Sequence, residues 1–306
     1  MSPISFHTRQ IEHLRRNNIG QAAVLFLTTI SVILALAFSA AYTAHLGAEK
    51  VASSNAVDAI ALSAATWEAR GLNLIASLND GILQCFRAIR GICVVWASLA
   101  VAACLGAGMP AFIAYSQRAP GMIRSYWKTA KQLEAWAEKI KAITPSLVLA
   151  ETASLSHKLK VTGILSPFNP GGPHDGENTL ELHLKHGAPL NLSDALAPIT
   201  DIPGRIGKWK WVKNIARAVS AVIDAAVRSI LSGTDGTPIR MLEPEDDFPL
   251  RQKVRYAGFR AVSPLPIPYL GRQERSRFPT EAIAEPYGGG TAEMTWKSRL
   301  TEKPGK

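Results

Sequence analysis

Residues 20–44 read GQAAVLFLTTISVILALAFSAAYTA, without one charged side chain, and the reading of the whole chain turns on them. At about 1.5 Å of rise per residue, a helix of this length covers the roughly 30 Å hydrocarbon core of a bilayer. A cleavable export signal has a shorter apolar region, closed by a small-residue cleavage site and followed by a mature domain. Here the helical pattern runs on past the end of the apolar stretch, so the sequence predicts a retained transmembrane anchor over residues 20–45. Arg9, Arg15 and Arg16 precede the stretch, while His45, Glu49 and Lys50 nearly balance one another behind it. The positive-inside tendency then makes residues 1–19 a cytoplasmic basic segment and places residue 50 across the membrane.

Directly downstream, residues 53–65 read SSNAVDAIALSAA, small side chains around a single Asp58. Small residues let helices approach closely in or near a bilayer, where the hydrophobic drive between helices is missing. Alanine-rich sequence also has high helix propensity, which predicts one unbroken helix leaving the membrane. Two readings of Asp58 are open: a carboxylate facing solvent, or one facing a partner helix. Neither implies catalysis.

The basic N-terminus, the segment Gly20-Gln21-Ala22-Ala23-Val24-Leu25-Phe26, the apolar run, and Asn55-Ala56-Val57-Asp58-Ala59 followed by Ala61-Leu62-Ser63-Ala64-Ala65 together resemble the TadE/TadG-like Flp pilus-assembly family over about residues 14–66. The resemblance marks Gly20, Asn55, Asp58, Ala59, Leu62 and Ala65 as the family's motif and helix-packing positions. A weaker likeness to long Tad-type proteins covers residues 68–76 and 284–300, where Ala284-Glu285-Pro286-Tyr287 and Trp296-Lys297-Ser298-Arg299-Leu300 look like closing strands. Flp-type prepilins carry Glu-Tyr where this chain has Leu25 and Phe26. The resemblance therefore implies a membrane-retained component rather than a processed filament subunit.

Length and charge add bounds. The 306 residues suffice for one large domain or two modest ones, and the formal charge is +10. The basic residues are scattered, with no dense block interleaved with aromatics, so a solvated basic surface is expected and nucleic acid is not an expected partner. Cys85, Cys93 and Cys104 are odd in number and lack CxxC spacing, which argues against a disulfide framework or a zinc site. Buried structural thiols are the expectation.

A second uncharged run, GICVVWASLAVAACLGAGMPAFIAY, occupies residues 91–115. It reads either as a second span returning the chain to the cytoplasm, or as a buried or membrane-surface helix. Gly106, Gly108 and Pro110 would break or kink it under both readings. Around it, residues 66–90 and 122–143 show apolar recurrence at three- and four-residue spacings. Glu134 and Glu138 beside Lys131, Lys139 and Lys141 read as surface pairs, and Pro145 predicts the end of that helix.

The pattern changes near residue 155. Lys158–Leu165, Thr179–His186 and Lys253–Val262 read as strands, the second alternating Leu180, Leu182 and Leu184 against Glu181, His183 and Lys185. Asn169–Pro173 reads as a loop, and Pro264, Pro266 and Pro268 mark a proline-rich tail before a final strand near Trp296. Lys208–Leu231 predicts a helix with Trp209, Val212, Ile215, Val219, Ile223, Val227 and Ile230 along one stripe. It lies either on a membrane surface or against the C-terminal sheet. The expected fold is thus α+β: an anchor, a helical region over 46–150, and a small basic α+β domain with Pro/Gly-rich loops over 151–306.

Catalytic and metal motifs are not evident. His183 and His186 stand three apart on a strand and so face opposite ways, with His174 in a loop. Neither Gly171-Gly172 nor Gly288-Gly289-Gly290 is followed by the Gly-Lys-Ser/Thr of a phosphate loop. Ser156-His157 lacks a nucleophile elbow, and the acidic turn Glu243, Glu245, Asp246, Asp247 lacks calcium-loop spacing. No cofactor, metal or catalytic residue is expected. The expectation is a non-enzymatic, single-pass component of a Tad/Flp-type pilus or related secretion assembly in a bacterial inner membrane, with a periplasmic C-terminal region. Its partners would be other membrane assembly proteins and the bilayer. The alternative is a two-span adaptor with its basic C-terminal domain in the cytoplasm.

Overall fold

The computed structural model describes residues 4–166, 182, 184–190, 210–232, 238–244, 254–261 and 277–301, with backbone alone for 4–20, 210–213, 216, 220 and 231–232. Helix α1 runs Ile4–Cys104 and α2 runs Met109–Leu159. Strands β1 (Val161–Ser166) and β2 (Leu184–Leu190) follow, then helix α3 (Lys210–Ser232). Strands β3 (Ile239–Pro244), β4 (Val254–Ala261), β5 (Arg277–Tyr287) and β6 (Lys297–Thr301) complete the chain. The architecture is mixed helix plus sheet, as expected: a helical first half, then a four-stranded sheet ordered β1-β4-β5-β6 and a separate β2-β3 ribbon. The chain divides into two compact units, one of residues 1–56 with 259–280, the other of residues 57–258 with 281–306.

The 91–115 run is not one helix. Residues 105–108 turn the chain back, so the expectation of a second continuous span gives way to a helical hairpin. Gly106 and Gly108 sit at φ +82° and +81°, a left-handed conformation that costs glycine little and other residues more. Gly106 N–H bonds Ala103 O at 3.0 Å and Ala107 N–H bonds Ala102 O at 2.9 Å, closing the end of α1.

From there α1 and α2 run antiparallel, with Trp96 against Ser116, Phe86 against Trp127, and Gly81 and Gly71 facing Leu133 and Thr144. Ile82, Phe86, Ile89, Cys93 and Trp96 meet Ile123, Trp127 and Ala130 in the main core. Each fully buried large apolar side chain contributes about 1.5–3 kcal/mol. Ile223, Val227 and Ile230 of α3 join the same cluster, so the predicted stripe packs inside the protein rather than on a lipid surface. Trp209 and Val212 of that stripe lie outside the described side chains.

Two expectations for α2 are corrected. The helix continues through Pro145 to Leu159 instead of stopping there. An internal proline removes one backbone bond and costs about 3 kcal/mol or more. Burial on both sides of it, at Thr144 and Val148, offsets that cost. Nor does the Glu134–Lys141 face, though part-exposed, serve only as pairs along the helix. Glu134 accepts from Arg240 N–H at 2.8 Å, Glu138 meets His186 Nε2 at 2.7 Å, and Lys141 Nζ donates to Leu184 O at 3.1 Å. These polar side chains seat the β2-β3 ribbon on the hairpin, above Leu72, Ile75, Ala137, Leu182, Leu184 and Leu242.

The two helices approach closely at Gly71. A Cβ there would lie 2.6 Å from both Thr144 Cγ2 and Oγ1, and the Thr144 hydroxyl is already bonded to Ile140 O at 2.7 Å. Glycine to alanine in a helix ordinarily stabilises by about 1 kcal/mol. Here overpacking reverses the sign, and Gly71→Ala is expected to destabilise by about 1–2 kcal/mol. Adding Thr144→Ala, which deletes both clashing atoms, should restore stability. Thermal unfolding of the single and double variants reads the result; a rise in melting temperature for Gly71→Ala alone would refute the close approach.

Candidate membrane anchor and helix-packing site

Alpha-helical residues 21–44 carry the anchor chemistry. Leu25, Phe26 and Leu36 are 70, 67 and 66% exposed, and Val24, Leu27, Val32, Ile33, Leu34 and Phe38 are exposed with them. Among the described residues α1 is the one helix long and apolar enough to cross a membrane, and none of its most apolar window, near the N-terminus, is buried. Four of its hydroxyls are satisfied within the helix. Thr28 and Thr29 hydroxyls donate to Leu25 O at 2.9 and 2.8 Å, and Ser31 to Leu27 O at 2.8 Å. Thr43 donates to Ala40 O at 2.9 Å. Hydroxyls bonded back to the preceding turn can leave water without an unpaired donor. Exposure of this stripe in a water-soluble protein would forfeit a large apolar burial, whereas lipid supplies it.

Downstream, the motif positions separate onto two faces of α1. Ala65 is buried, Leu62 and Asp58 are half-buried, and Asn55 and Ala59 are exposed. Gly20 lies within α1, in the part whose backbone alone is described. The buried face is broader than the motif, comprising Val57, Ile60, Ala61, Ala64, Ala65, Ala69 and Leu72. The small residues thus serve packing inside the chain, and Asn55 and Ala59 are left on the open side. No ion pair of Asp58 occurs among the described residues.

The two segments of weaker likeness meet in space. Asn73 Nδ2 donates to Trp296 O, and Trp296 N–H donates back to Asn73 Oδ1, both at 3.0 Å. One turn and a half on, Asn79 is fully buried, and its Nδ2 donates to Leu242 O at 2.8 Å and Thr291 O at 2.7 Å. Thr66 Oγ1 and Ser298 Oγ lie 2.8 Å apart. One edge of α1 therefore holds the segment joining β5 to β6. Those strands are antiparallel, with Ile283 opposite Thr301 and Tyr287 opposite Lys297. Arg299 Nη2 lies 2.7 Å from Glu285 Oε1, bracing the pair on its buried carboxylate.

Sequence patterning passed over Asn73 and Asn79. Asparagine is a weak helix former that prefers caps and turns, so two of them inside a helical stretch were the available signal. It also passed over Glu68, which is buried among Ala64, Ala65 and Leu72. Burial lifts its carboxyl from the ordinary 4.5 to about 8.

Cys85 and Cys93 are buried free thiols, as expected, but Cys104 is exposed at the hairpin turn. Among the described residues no group of three His, Cys, Asp or Glu side chains could hold a metal ion. His174, His183, Glu245, Asp246 and Asp247 lie outside the described residues, as do the predicted 169–173 loop and the proline-rich tail. No family model, no curated protein and no solved structure matches the chain.

Proposed function

We propose that the protein is a non-enzymatic, membrane-anchored component of a Tad/Flp-type pilus or related secretion assembly, acting through helix packing and protein–protein contacts. One observation carries this reading: the exposed apolar stretch 21–44 and the small-residue stretch 53–65 belong to a single uninterrupted helix, α1. A catalyst tethered to a membrane needs only a flexible leash. A continuous helix with a small-residue face instead offers a surface on which other helices can pack, which suits a part in an assembly. The likeness of residues 14–66 to the TadE/TadG-like segment supplies the kind of assembly. With Arg9, Arg15 and Arg16 ahead of the span, the region beyond it is assigned to the periplasmic side of a bacterial inner membrane. The exposed Asn55–Ala59 edge is the surface left for a neighbouring helix.

The test replaces residues 1–45 by a cleavable export signal, so that the remainder reaches the same compartment unanchored. In cells lacking the native gene, the full chain is expected to restore surface filaments or secretion, measured by shearing and immunoblotting. The unanchored version should fail while remaining folded by circular dichroism. Restoration by the unanchored version would overturn the proposal.

A further inference from the structure

The turn between α1 and α2 caps a hairpin whose outer part carries no charge for 27 residues, from Gly91 to Gln117. Its inner face is packed: Ile92, Cys93, Trp96, Ala97, Ala100 and Ala103 are buried. The tip is open to solvent on all sides. Cys104 through Ala111 are exposed without interruption, with Leu105 at 49%, Met109 at 50% and Ile113 at 52%. An apolar tip of this kind, rather than an apolar stripe, calls for a medium that surrounds it.

Three observations on the hairpin agree on what that medium is. First, the polar side chains between Gly91 and Ser116 that could donate are bonded internally. Trp96 Nε1–H donates to Ser116 Oγ at 2.9 Å, Tyr115 Oη to Ile92 O at 3.4 Å, and Ser98 Oγ to Val94 O at 2.9 Å. Second, the turn closes the end of α1: Leu105, Gly106 and Ala107 N–H groups all bond carbonyls of its last turn. Pro110, at the start of α2, has no N–H to leave unpaired. Each donor paired within the turn lowers the cost of entering the bilayer.

Third, the charge on the two helices beneath the tip has one sign. Arg87, Arg90, Arg118, Arg124 and Lys128 are exposed below it, and no acidic residue occurs between Asp80 and Glu134. Basic side chains flanking an apolar insertion complement anionic headgroups, each strengthening attachment to such a surface. A groove on a protein partner would need neither the internally bonded polar groups nor the unipolar collar.

We propose that the 91–117 hairpin tip inserts into a bilayer bearing anionic lipids, with Arg87, Arg90, Arg118 and Arg124 at the headgroups. The inference stands on the hairpin and does not depend on the assembly role proposed above. The exposed Cys104 provides the probe, since Cys85 and Cys93 are buried. The full chain, labelled at Cys104 with an environment-sensitive nitrobenzoxadiazole, is reconstituted in vesicles of phosphatidylcholine and phosphatidylglycerol. A Cys104→Ser control reports background labelling. Nitroxide lipid is placed either in the chain's own vesicles or in added protein-free vesicles, which distinguishes insertion into the anchoring bilayer from insertion into a second one.

Blue-shifted emission with quenching in either arm is the expected result. Replacing Arg90 and Arg118 by Gln should weaken the dependence on phosphatidylglycerol about 30-fold, as for two basic residues at an anionic surface. Met109→Asp with Ile113→Asp should abolish quenching while helicity and melting are retained, since both side chains are exposed. Water-like emission quenched by aqueous iodide in both arms would overturn the proposal. So would a Cys104–Cys104 disulfide between two copies in place of lipid quenching.

Discussion

Glu68→Gln is expected to stabilise the protein by about 3 kcal/mol at pH 7 and to remove a slope that the native chain shows across the neutral range. The cause is a carboxyl group buried on α1, whose pKa rises from 4.5 to about 8 because burial penalises its charged form. Below about pH 4.5 the group is protonated in both folded and unfolded chains, and it has no effect on their balance. Above that, the unfolded chain releases the proton while the folded chain keeps it. Stability therefore falls as pH rises, by about 1.4 kcal/mol per unit, until the folded group also ionises near pH 8. The whole loss is about 5 kcal/mol, with about 3 of it incurred by pH 7.

Glutamine keeps the shape and carries no charge, so the variant should melt higher at neutral pH and show no such slope. The two proteins should converge near pH 4.5. Thermal unfolding in detergent across that range reads the difference. A native melting temperature unchanged between about pH 5 and 8 would show that Glu68 is not buried as described.

The sequence spoke clearly where the signal was local and extreme. An uncharged run of anchor length needs no partner to be read, and the α3 stripe at Val219, Ile223, Val227 and Ile230 is periodic whatever it packs against. Leu182 and Leu184, both predicted to face inward, are buried. What stayed hidden was set by tertiary contacts. Pro145 signals a helix end on local grounds, and only the burial of Val148 beyond it explains why α2 goes on. Glu134, Glu138 and Lys141 have the spacing of a solvated face, and nothing in that spacing announces that Arg240, His186 and Leu184 lie opposite. Hydropathy scored 91–115 as a span because it sums apolar character without seeing that Gly106 and Gly108 permit a reversal. In the candidate site the long exposed apolar stretch was legible. The asparagines and Glu68 were not, because a polar residue inside a helix looks alike whether it meets solvent or a buried backbone.

Removal of the Asn79 side-chain amide is the second large effect expected. Its Nδ2 satisfies two backbone carbonyls from distant parts of the chain, Leu242 of β3 and Thr291 of the β5–β6 connection. Asn79 and its bond to Leu242 are fully buried, so water cannot replace that donor without opening the structure, while the Thr291 carbonyl is half-buried. Leaving a buried acceptor unpaired costs about 1–3 kcal/mol, and Asn79→Leu deprives one buried and one half-buried carbonyl. A loss of about 3 kcal/mol is expected, partly lessened because the Asn79 Oδ1 atom already lacks a partner in the described structure and leucine relieves it. Asn79→Asp should be worse at neutral pH, since it sets a carboxylate against two carbonyl oxygens and removes their donor. Lowering the pH, which lets the acid donate one bond, should recover part of that difference. Asn73→Ala acts on the same connection through Trp296, so the double variant Asn73→Ala with Asn79→Leu should cost less than the two losses added. Amide exchange separates this from a general loss of stability. Protection should fall first in residues 291–301 and in β3, while the α1–α2 core around Phe86 and Trp127 keeps its protection. Uniform loss of protection across the core and the connection would mean that Asn79 does not act as a local clamp.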